Sequence, residues 1–200
     1  MQVFDHFAVA AATLDAGVAH VRRHLGHEMD SGGEHALMGT HNRLSGLGDG
    51  EYMEVIAVNP DAPPPDRPRW FDLDRRVGPP RIGNWILRTD DLDGLCTRLP
   101  EAGRPVAVER GPYRWRMAVP EDGVLPFDGC FPALMQWDTP PPTFTDVGLR
   151  LTRLELSHPG APALAPIVAS LTDDPRIVLA EGPRRITATL ENPNGVREIA

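Results

Sequence analysis

Apolar residues in the first part of the chain change from the period of a strand to that of a helix and back. Residues 2–10 alternate loosely and predict a strand. Residues 35–47, with a break at Gly39, predict two short strands, and residues 51–58 predict a third after the Asp49-Gly50 hairpin turn. Between them, apolar residues at helical spacing predict the buried stripe of a helix: Leu14, Val18, Val21 and Leu25.

The same order of elements recurs from Arg81 onwards. A strand around NWILRT precedes a second helix, and residues 106–119 predict two strands that turn near Gly111. The buried stripe of this second helix consists of Leu92, Leu95, Cys96 and Leu99. Because CFPALMQW closes the unit as a further strand, the chain contains an internal repeat of strand, helix and three strands.

Proline separates these two units and marks the start of the last segment. Residues 1–59 form the first βαβββ module, residues 60–80 a proline-rich linker, and residues 81–138 the second βαβββ module. Residues 139–200 predict a partial third module of order βαββ, whose edge strands need a partner. Docking on the body or formation of a homodimer would each supply one. We therefore expect an α+β fold in one compact body.

Composition is typical of a globular protein. Of the 200 residues, 41% are apolar and 24% are charged. No apolar run approaches the roughly 18 residues that span a bilayer, and the opening MQVFDHF lacks the pattern of a signal peptide. Cys96 and Cys130 are isolated in sequence and predict free thiols in a reducing compartment. We expect a cytoplasmic protein with no membrane partner.

The charged residues exclude several function classes. The formal net charge of −8 argues against a nucleic-acid partner, because phosphate binding needs a positive surface. All 20 basic residues are arginine, and the lack of lysine excludes Schiff-base chemistry, lysine-bound pyridoxal phosphate and a P-loop. Arginine is therefore the only permanent cation available to an anionic small-molecule ligand.

Two polar residues lie within strands that are otherwise apolar. His6 is in the first strand and Glu54 is in the last strand of the first module. A carboxylate is costly to bury without a partner, so Glu54 either faces solvent or has one. Tyr52 and Ile56 share its face and favour the inner side. For His6 the alternative is a core histidine that bonds the backbone.

Two further predicted strands carry side chains that could bind a ligand, and the sequence does not determine which face of each strand points into the interior. His41 and Arg43 share one strand face, which either holds a carboxylate or enolate oxygen or is a polar outward face. In residues 113–117, an aromatic and apolar set that includes Trp115 alternates with an arginine set that includes Arg116. An inward aromatic set would suit an apolar ligand, and an inward arginine set an anionic one.

With its duplicated module, the chain resembles the vicinal oxygen chelate superfamily and, more narrowly, a glyoxalase-like domain protein of the glyoxalase, bleomycin-resistance and dioxygenase type. The resemblance covers most of residues 1–138. It implies that two modules pair, that their curled sheets form a cup, and that metal ligands come from the first and last strand of each module. The segments that carry it are DHFAVAAATLDAG, THNRL, GDGEYMEVIAV, WILRTDDLDGL and FPALMQW.

Applied to this chain, the resemblance implies His6, Glu54 and Gln136 as ligands of a divalent metal such as Zn, Ni, Mn or Fe. Asn84 or Trp85, depending on register, takes the fourth position and is a poor ligand. Glu54 would also act as the catalytic base that removes a proton alpha to a carbonyl. The residues expected to contact substrate are His41, Arg43, Asn84, Trp85, Trp115 and Arg116.

Three hypotheses of function follow. The resemblance implies a metal-dependent enzyme that acts on a small oxygenated substrate, of the lyase, isomerase or dioxygenase type. The poor ligand at the fourth position favours the alternative, a metal-free protein that binds or sequesters a small molecule in the same cup. The third is an assembly role carried by the residues after Thr143.

Overall fold

The first module folds into the predicted order of strand, helix and three strands. The structure, a computed structural model, describes all residues 1–200. The elements of this module are β1 (Val3–Ala10), α1 (Leu14–Leu25), β2 (Glu34–His35), β3 (Thr40–Gly48) and β4 (Glu51–Val58). The second module repeats the order with β5 (Arg81–Arg88), α2 (Leu92–Arg98), β6 (Arg104–Arg110), β7 (Tyr113–Val119) and β8 (Ala133–Trp137).

The two modules share one curled, nearly closed sheet. Its strand order is β2-β3-β4-β1-β5-β8-β7-β6, so the first strands of the modules lie side by side at its centre. They pair antiparallel, and each pairs in parallel with the last strand of its own module. The modules therefore pair within a single chain. This arrangement confirms the expected α+β fold with a curled-sheet cup.

Helix α1 covers the outer face of the sheet. It begins after Thr13, whose hydroxyl accepts the Ala16 N–H at 3.2 Å, and ends at Gly26 in the left-handed conformation. Gly17 permits a close approach, because a Cβ there would lie 2.3 Å from the Val55 side chain. Val55 thus faces the helix, and its neighbour Glu54 points into the cup. No helix of the chain has the length and apolar character that crossing a membrane requires.

The proline-rich linker fills part of the cup. Its residues Trp70 and Phe71 are 3% and 7% exposed and belong to the main apolar core. Phe71 and Asp72 have φ angles of +59° and +55°, a backbone conformation that residues other than glycine rarely adopt. The linker therefore connects the two modules and also lines part of the interior, where a strained turn holds it.

The C-terminal segment forms a second sheet. Its elements are β9 (Arg150–Ser157), α3 (Ala161–Leu171), β10 (Ile177–Ala180), β11 (Arg185–Asn192) and β12 (Gly195–Ile199). It has four strands where the sequence predicted three, because β10 and the β11–β12 hairpin all pair. The strand order β10-β9-β11-β12 also differs from that of the first module, in which the first strand lies at one end.

This segment docks on the body of the same chain. Arg176 forms a two-point ion pair with Glu51 of β4, at 2.6 and 2.8 Å. Asn192 donates its side-chain N–H to the carbonyl oxygen of Leu25 at 3.2 Å. The side chains of Glu51 and Arg176 are 11% and 28% exposed, so their attraction is only partly screened by water.

Replacing Glu51 with Gln should loosen this docking. We expect a loss of about 2 kcal/mol in the free energy of unfolding, because Arg176 would lose a charged partner in a partly buried site. Asp146→Asn, which breaks the exposed pair with Arg150, is the matched control and should leave stability unchanged. Urea unfolding of both variants measures this, and equal losses would contradict a special role for Glu51.

Candidate active site

A β-bulge places two adjacent polar residues in the same interior. The pairing of β1 with β5 runs from Phe4 opposite Leu87 to His6 opposite Ile86, which leaves Asp5 as an extra, unpaired residue. Alternation alone would put Asp5 and His6 on opposite faces, but the bulge changes their direction. Both are buried, with exposures of 0% and 3%.

Asp5 is surrounded by three donors. The Nδ1–H of His6 donates to Asp5 Oδ1 at 2.6 Å. The other carboxylate oxygen accepts from the Trp137 indole N–H at 3.0 Å and from Arg88 at 3.3 Å. These bonds fix the His6 ring, so that its Nε2 is directed away from Asp5 and towards β4.

Glu54 lies on the other side of the His6 ring from Asp5, so that Asp5, His6 and Glu54 form a line of buried polar side chains. Its Oε2 lies 3.6 Å from His6 Nε2, and its Oε1 accepts the Asn42 side-chain N–H at 2.6 Å. Tyr52, two residues earlier on β4, stacks on the His6 ring with centroids 4.2 Å apart. Glu54 Oε2 is therefore near the imidazole but has no close hydrogen bond of its own.

Electrostatics favour the charged forms of all three groups. Burial raises the pKa of Glu54, but the hydrogen bond and charge of His6, the charge that His35 gains at low pH and the hydrogen bond from Asn42 outweigh it and lower that pKa to about 2. Burial lowers the pKa of His6, and the adjoining Asp5 and Glu54 raise it above its ordinary value. These shifts favour an imidazolium between two carboxylates, and Arg88 lies near Asp5 to balance the charge.

A second buried histidine borders the same site. His35 bonds Thr40 through Nδ1 at 3.0 Å, and its Nε2 lies 3.4 Å from the Asn42 side-chain nitrogen. Burial lowers the pKa of His35 to about 4, so it is neutral under ordinary conditions. Asn42 thus connects a neutral histidine to the charged Glu54.

The polar line faces a very small cavity with an aromatic wall. The cavity volume is about 20 Å³, which is room for about one water molecule. Trp70 lines it, and its buried indole N–H has no acceptor in the chain. A buried donor without a partner is rare and is readily explained by a ligand or water oxygen. The rest of the apolar wall comes from Phe71, Trp115, Met117, Met135 and Trp137.

Of the residues singled out in the sequence, the structure brings His6, Glu54 and Trp115 to this cavity. His41 and Arg43 lie on the opposite face of β3, in a groove beside Glu34 and the start of α1. They do not line the site as expected, because alternation along β3 turns Asn42 inwards instead.

The remaining residues expected at the site lie elsewhere. Gln136 points away from the cavity, and its side-chain oxygen accepts the Leu92 N–H at the start of α2. Arg116 is on the outer face, paired with Asp93 and Asp138, so the aromatic set of β7 is the inward one. Trp85 is a core residue that donates to the Cys130 carbonyl. Asn84 lines a different cavity.

Asp5, His35, Asn42 and Arg110 were not predicted from the sequence pattern as residues of this site. A signal for Asn42 was present, since Leu44 lies two residues further along β3 and marks the inner face. No comparable signal identifies Asp5, because a bulge cannot be read from an alternating pattern. His35 lies in a strand of only two residues, too short to show a period.

The donors at this site do not fit the divalent metal that the resemblance implies. Such an ion needs three or four protein ligands, and the structure brings together only His6 and Glu54 of the expected set. The second module contributes tryptophan, methionine and Arg110 at this place. No group of three or more His, Cys, Asp or Glu side chains is arranged to hold a metal ion.

The glyoxalase-like domain family matches residues 4–172. The chain belongs to this family. That membership confirms the resemblance drawn from the module pattern, and it agrees with the curled sheet, but it does not specify a reaction.

Solved structures resemble the chain to different degrees. A hypothetical protein from Staphylococcus aureus is 14% identical, with a TM-score of 0.65, over 92% of this chain and 88% of its own. Methylmalonyl-CoA epimerase from Mycobacterium tuberculosis is 23% identical over 69% of this chain and 88% of its own, with a TM-score of 0.44. A Streptomyces coelicolor methylmalonyl-CoA epimerase variant, in complex with 2-nitronate-propionyl-CoA, is 19% identical over 68% and 97%, with a TM-score of 0.44. No curated protein sequence matches the chain.

The lowered pKa of Glu54 predicts a specific acid sensitivity. Its charge stabilises the fold above the ordinary pKa of 4.5, and this contribution is lost as pH falls towards about 2. Between about pH 5 and about pH 2, the wild type should lose about 3 kcal/mol more of its unfolding free energy than Glu54→Gln.

Chemical unfolding at several pH values measures this difference. Glu109→Gln, which removes a carboxylate whose side chain is 79% exposed, is the control and should keep the wild-type slope. Parallel pH profiles for wild type and Glu54→Gln would show that Glu54 is not held in its charged form.

Proposed function

We propose that the chain is an enzyme that moves a proton on a small oxygenated substrate, as an isomerase or lyase, with His6 and Glu54 as its acid–base pair. The observation that carries this proposal is the buried line Asp5–His6–Glu54, which ends in a carboxylate oxygen with no close hydrogen bond. Membership of the glyoxalase-like family agrees with a small-molecule enzyme.

The proposed step is an enolisation. Glu54 Oε2 takes a proton from the carbon next to a carbonyl group, and the C–H bonding pair becomes part of the enol double bond. His6 donates its Nε2 proton to the carbonyl oxygen as negative charge develops there. In an isomerisation, the reverse transfers return a proton to carbon, on the other face or at the neighbouring position. In a lyase reaction, the bond from the neighbouring carbon to a leaving group breaks and its electron pair departs with that group. His6 then recovers the proton of the enol oxygen, and the protonated Glu54 gives its proton to the leaving group.

Asp5 would make His6 suitable for this task. Its bond to Nδ1–H holds the ring in place and stabilises the imidazolium. When His6 gives up its Nε2 proton, the positive charge beside Glu54 disappears. Because that charge helps keep the pKa of Glu54 low, the carboxylate becomes a stronger base as the proton leaves His6.

A substrate needs more room than the structure provides. A cavity of about 20 Å³ holds about one water, so a substrate must displace part of the wall. Trp70 and Phe71 of the linker are the natural moving part, since Phe71 and the adjoining Asp72 are in a strained backbone conformation. The unpaired Trp70 N–H would then meet a substrate oxygen.

A binding protein without chemistry is the second candidate. The tryptophan and methionine wall favours it, because such side chains bury a planar or acyl group well. In that case Glu54→Gln would change ligand affinity, and no carbon–hydrogen bond of the ligand would be broken.

Exchange of substrate hydrogen with solvent tests the proposal. The protein is incubated in D₂O with a panel of small 2-oxo acids, α-hydroxy ketones and dicarbonyls, and loss of each α-proton is followed by NMR. We expect accelerated exchange for at least one compound. The rate should fall by roughly 10²-fold or more in Glu54→Gln and in His6→Asn, and it should persist in EDTA.

The control is Glu109→Gln, which removes one negative charge from the surface and should exchange at the wild-type rate. Exchange that survives in Glu54→Gln would contradict the assigned base. Exchange that is abolished by EDTA and restored by one equivalent of metal would replace this proposal with a metal-dependent one.

A further inference from the structure

A larger cavity lies beyond Phe71, outside the line of acid–base groups. Its volume is about 270 Å³, close to the lower limit for small-ligand sites. Phe71 lines both this cavity and the His6 site and so separates them. Its walls come from the linker, from β5 and from the segment before β11, and they include Arg75, Arg76, Arg81 and Arg184.

Three of these arginines have no carboxylate partner. Arg184 donates to the backbone oxygens of Asp128, Ile82 and Gly83, at 2.9, 3.0 and 2.8 Å. Arg76 likewise donates to backbone oxygens, among them that of Ala10 at 3.1 Å. Carbonyl bonds of this kind hold a guanidinium in place but leave its charge uncompensated.

Arg81 is the freest of the three. It is exposed, it lines the cavity, and its side chain makes neither an ion pair nor a hydrogen bond within the chain. Burial, together with the charge of Arg81, lowers the pKa of Arg76 and of Arg184. The three cations therefore repel one another in the absence of an anion.

The acidic residues of this cavity do not cancel the arginines. Asp72 pairs with Arg75 at 2.6 Å, and Asp128 lies 3.3 Å from His158. Four arginines and two aspartates line the cavity, so positive charge is in excess by two. This excess is notable in a chain whose formal net charge is −8.

Two other features point to a ligand here. Asn84 is only 2% exposed, it lines the cavity, and its side-chain amide has no hydrogen bond within the chain. Phe71, Asp72 and Asp128 also line it, and all three have left-handed backbone conformations that are unfavourable for such residues. Strain of this kind concentrates at ligand sites.

We propose that this cavity binds a small phosphorylated molecule, with the phosphate group held by Arg76, Arg81 and Arg184. A phosphate monoester carries nearly two negative charges at neutral pH, which matches the excess of positive charge. Guanidinium groups bind such oxygens with paired, charge-assisted hydrogen bonds. The volume exceeds that of phosphate alone and leaves room for the rest of a small molecule beside Asn84.

Thermal unfolding with added anions, at constant ionic strength, tests this inference. The probes are inorganic phosphate, glycerol 3-phosphate and acetate. We expect saturable stabilisation by both phosphates and none by acetate. We expect glycerol 3-phosphate to bind more tightly than inorganic phosphate, and the reverse order would overturn the assignment of a phosphorylated molecule in favour of the free ion.

Arg81→Gln is the informative variant, because Arg81 makes no side-chain bond that the fold requires. It should unfold like the wild type without anion and bind phosphate at least about tenfold more weakly. Arg104→Gln removes an exposed arginine on β6 and should bind as the wild type does.

Three further results would each overturn the proposal. They are equal phosphate affinity in wild type and Arg81→Gln, stabilisation by acetate equal to that by phosphate, and no saturable stabilisation by phosphate up to about 10 mM. These readouts are independent of the proton-transfer proposal, since His6 and Glu54 are unchanged in both variants.

Discussion

Asp5 is a fully buried carboxylate, and the arrangement of the site depends on how its charge is balanced. Its partners come from three different strands: His6 from its own strand, Arg88 from β5 and Trp137 from β8. Because an unpaired buried charge is very costly, these contacts tie the two modules together at the centre of the sheet. The same contacts direct His6 towards Glu54.

The two modules have diverged in what they contribute. The first supplies the polar groups of the site, namely His6, Glu54, Asn42 and His35. The second supplies tryptophan and methionine side chains together with Arg110 of β6, and it turns Gln136 to the other face, where it caps a helix. The site is therefore asymmetric, with its acid–base groups in the first module and its tryptophan and methionine side chains largely in the second.

Much of the fold was predictable because it rests on period and repetition. The apolar run of β4 and the helical stripe of α1 are strong local signals, and the repeated element order indicated the paired modules. The site was less predictable. His6 and Glu54 were identified as polar residues in apolar strands. On β3, however, His41 and Arg43 were expected at the site, whereas the inward residue is Asn42, which lies between them. The bulge at Asp5 and the inward folding of the linker at Trp70 depend on tertiary packing, which local pattern does not encode.

The proposed chemistry requires His6 to be a buried imidazolium held between Asp5 and Glu54. The most direct measurement is the ¹⁵N and ¹H NMR spectrum of its ring near neutral pH, assigned by comparison with His6→Asn. We expect protons on both ring nitrogens at pH 7, with the Nδ1 proton shifted far downfield by its short bond to Asp5. A neutral ring with one protonated nitrogen at that pH would contradict the proposed chemistry.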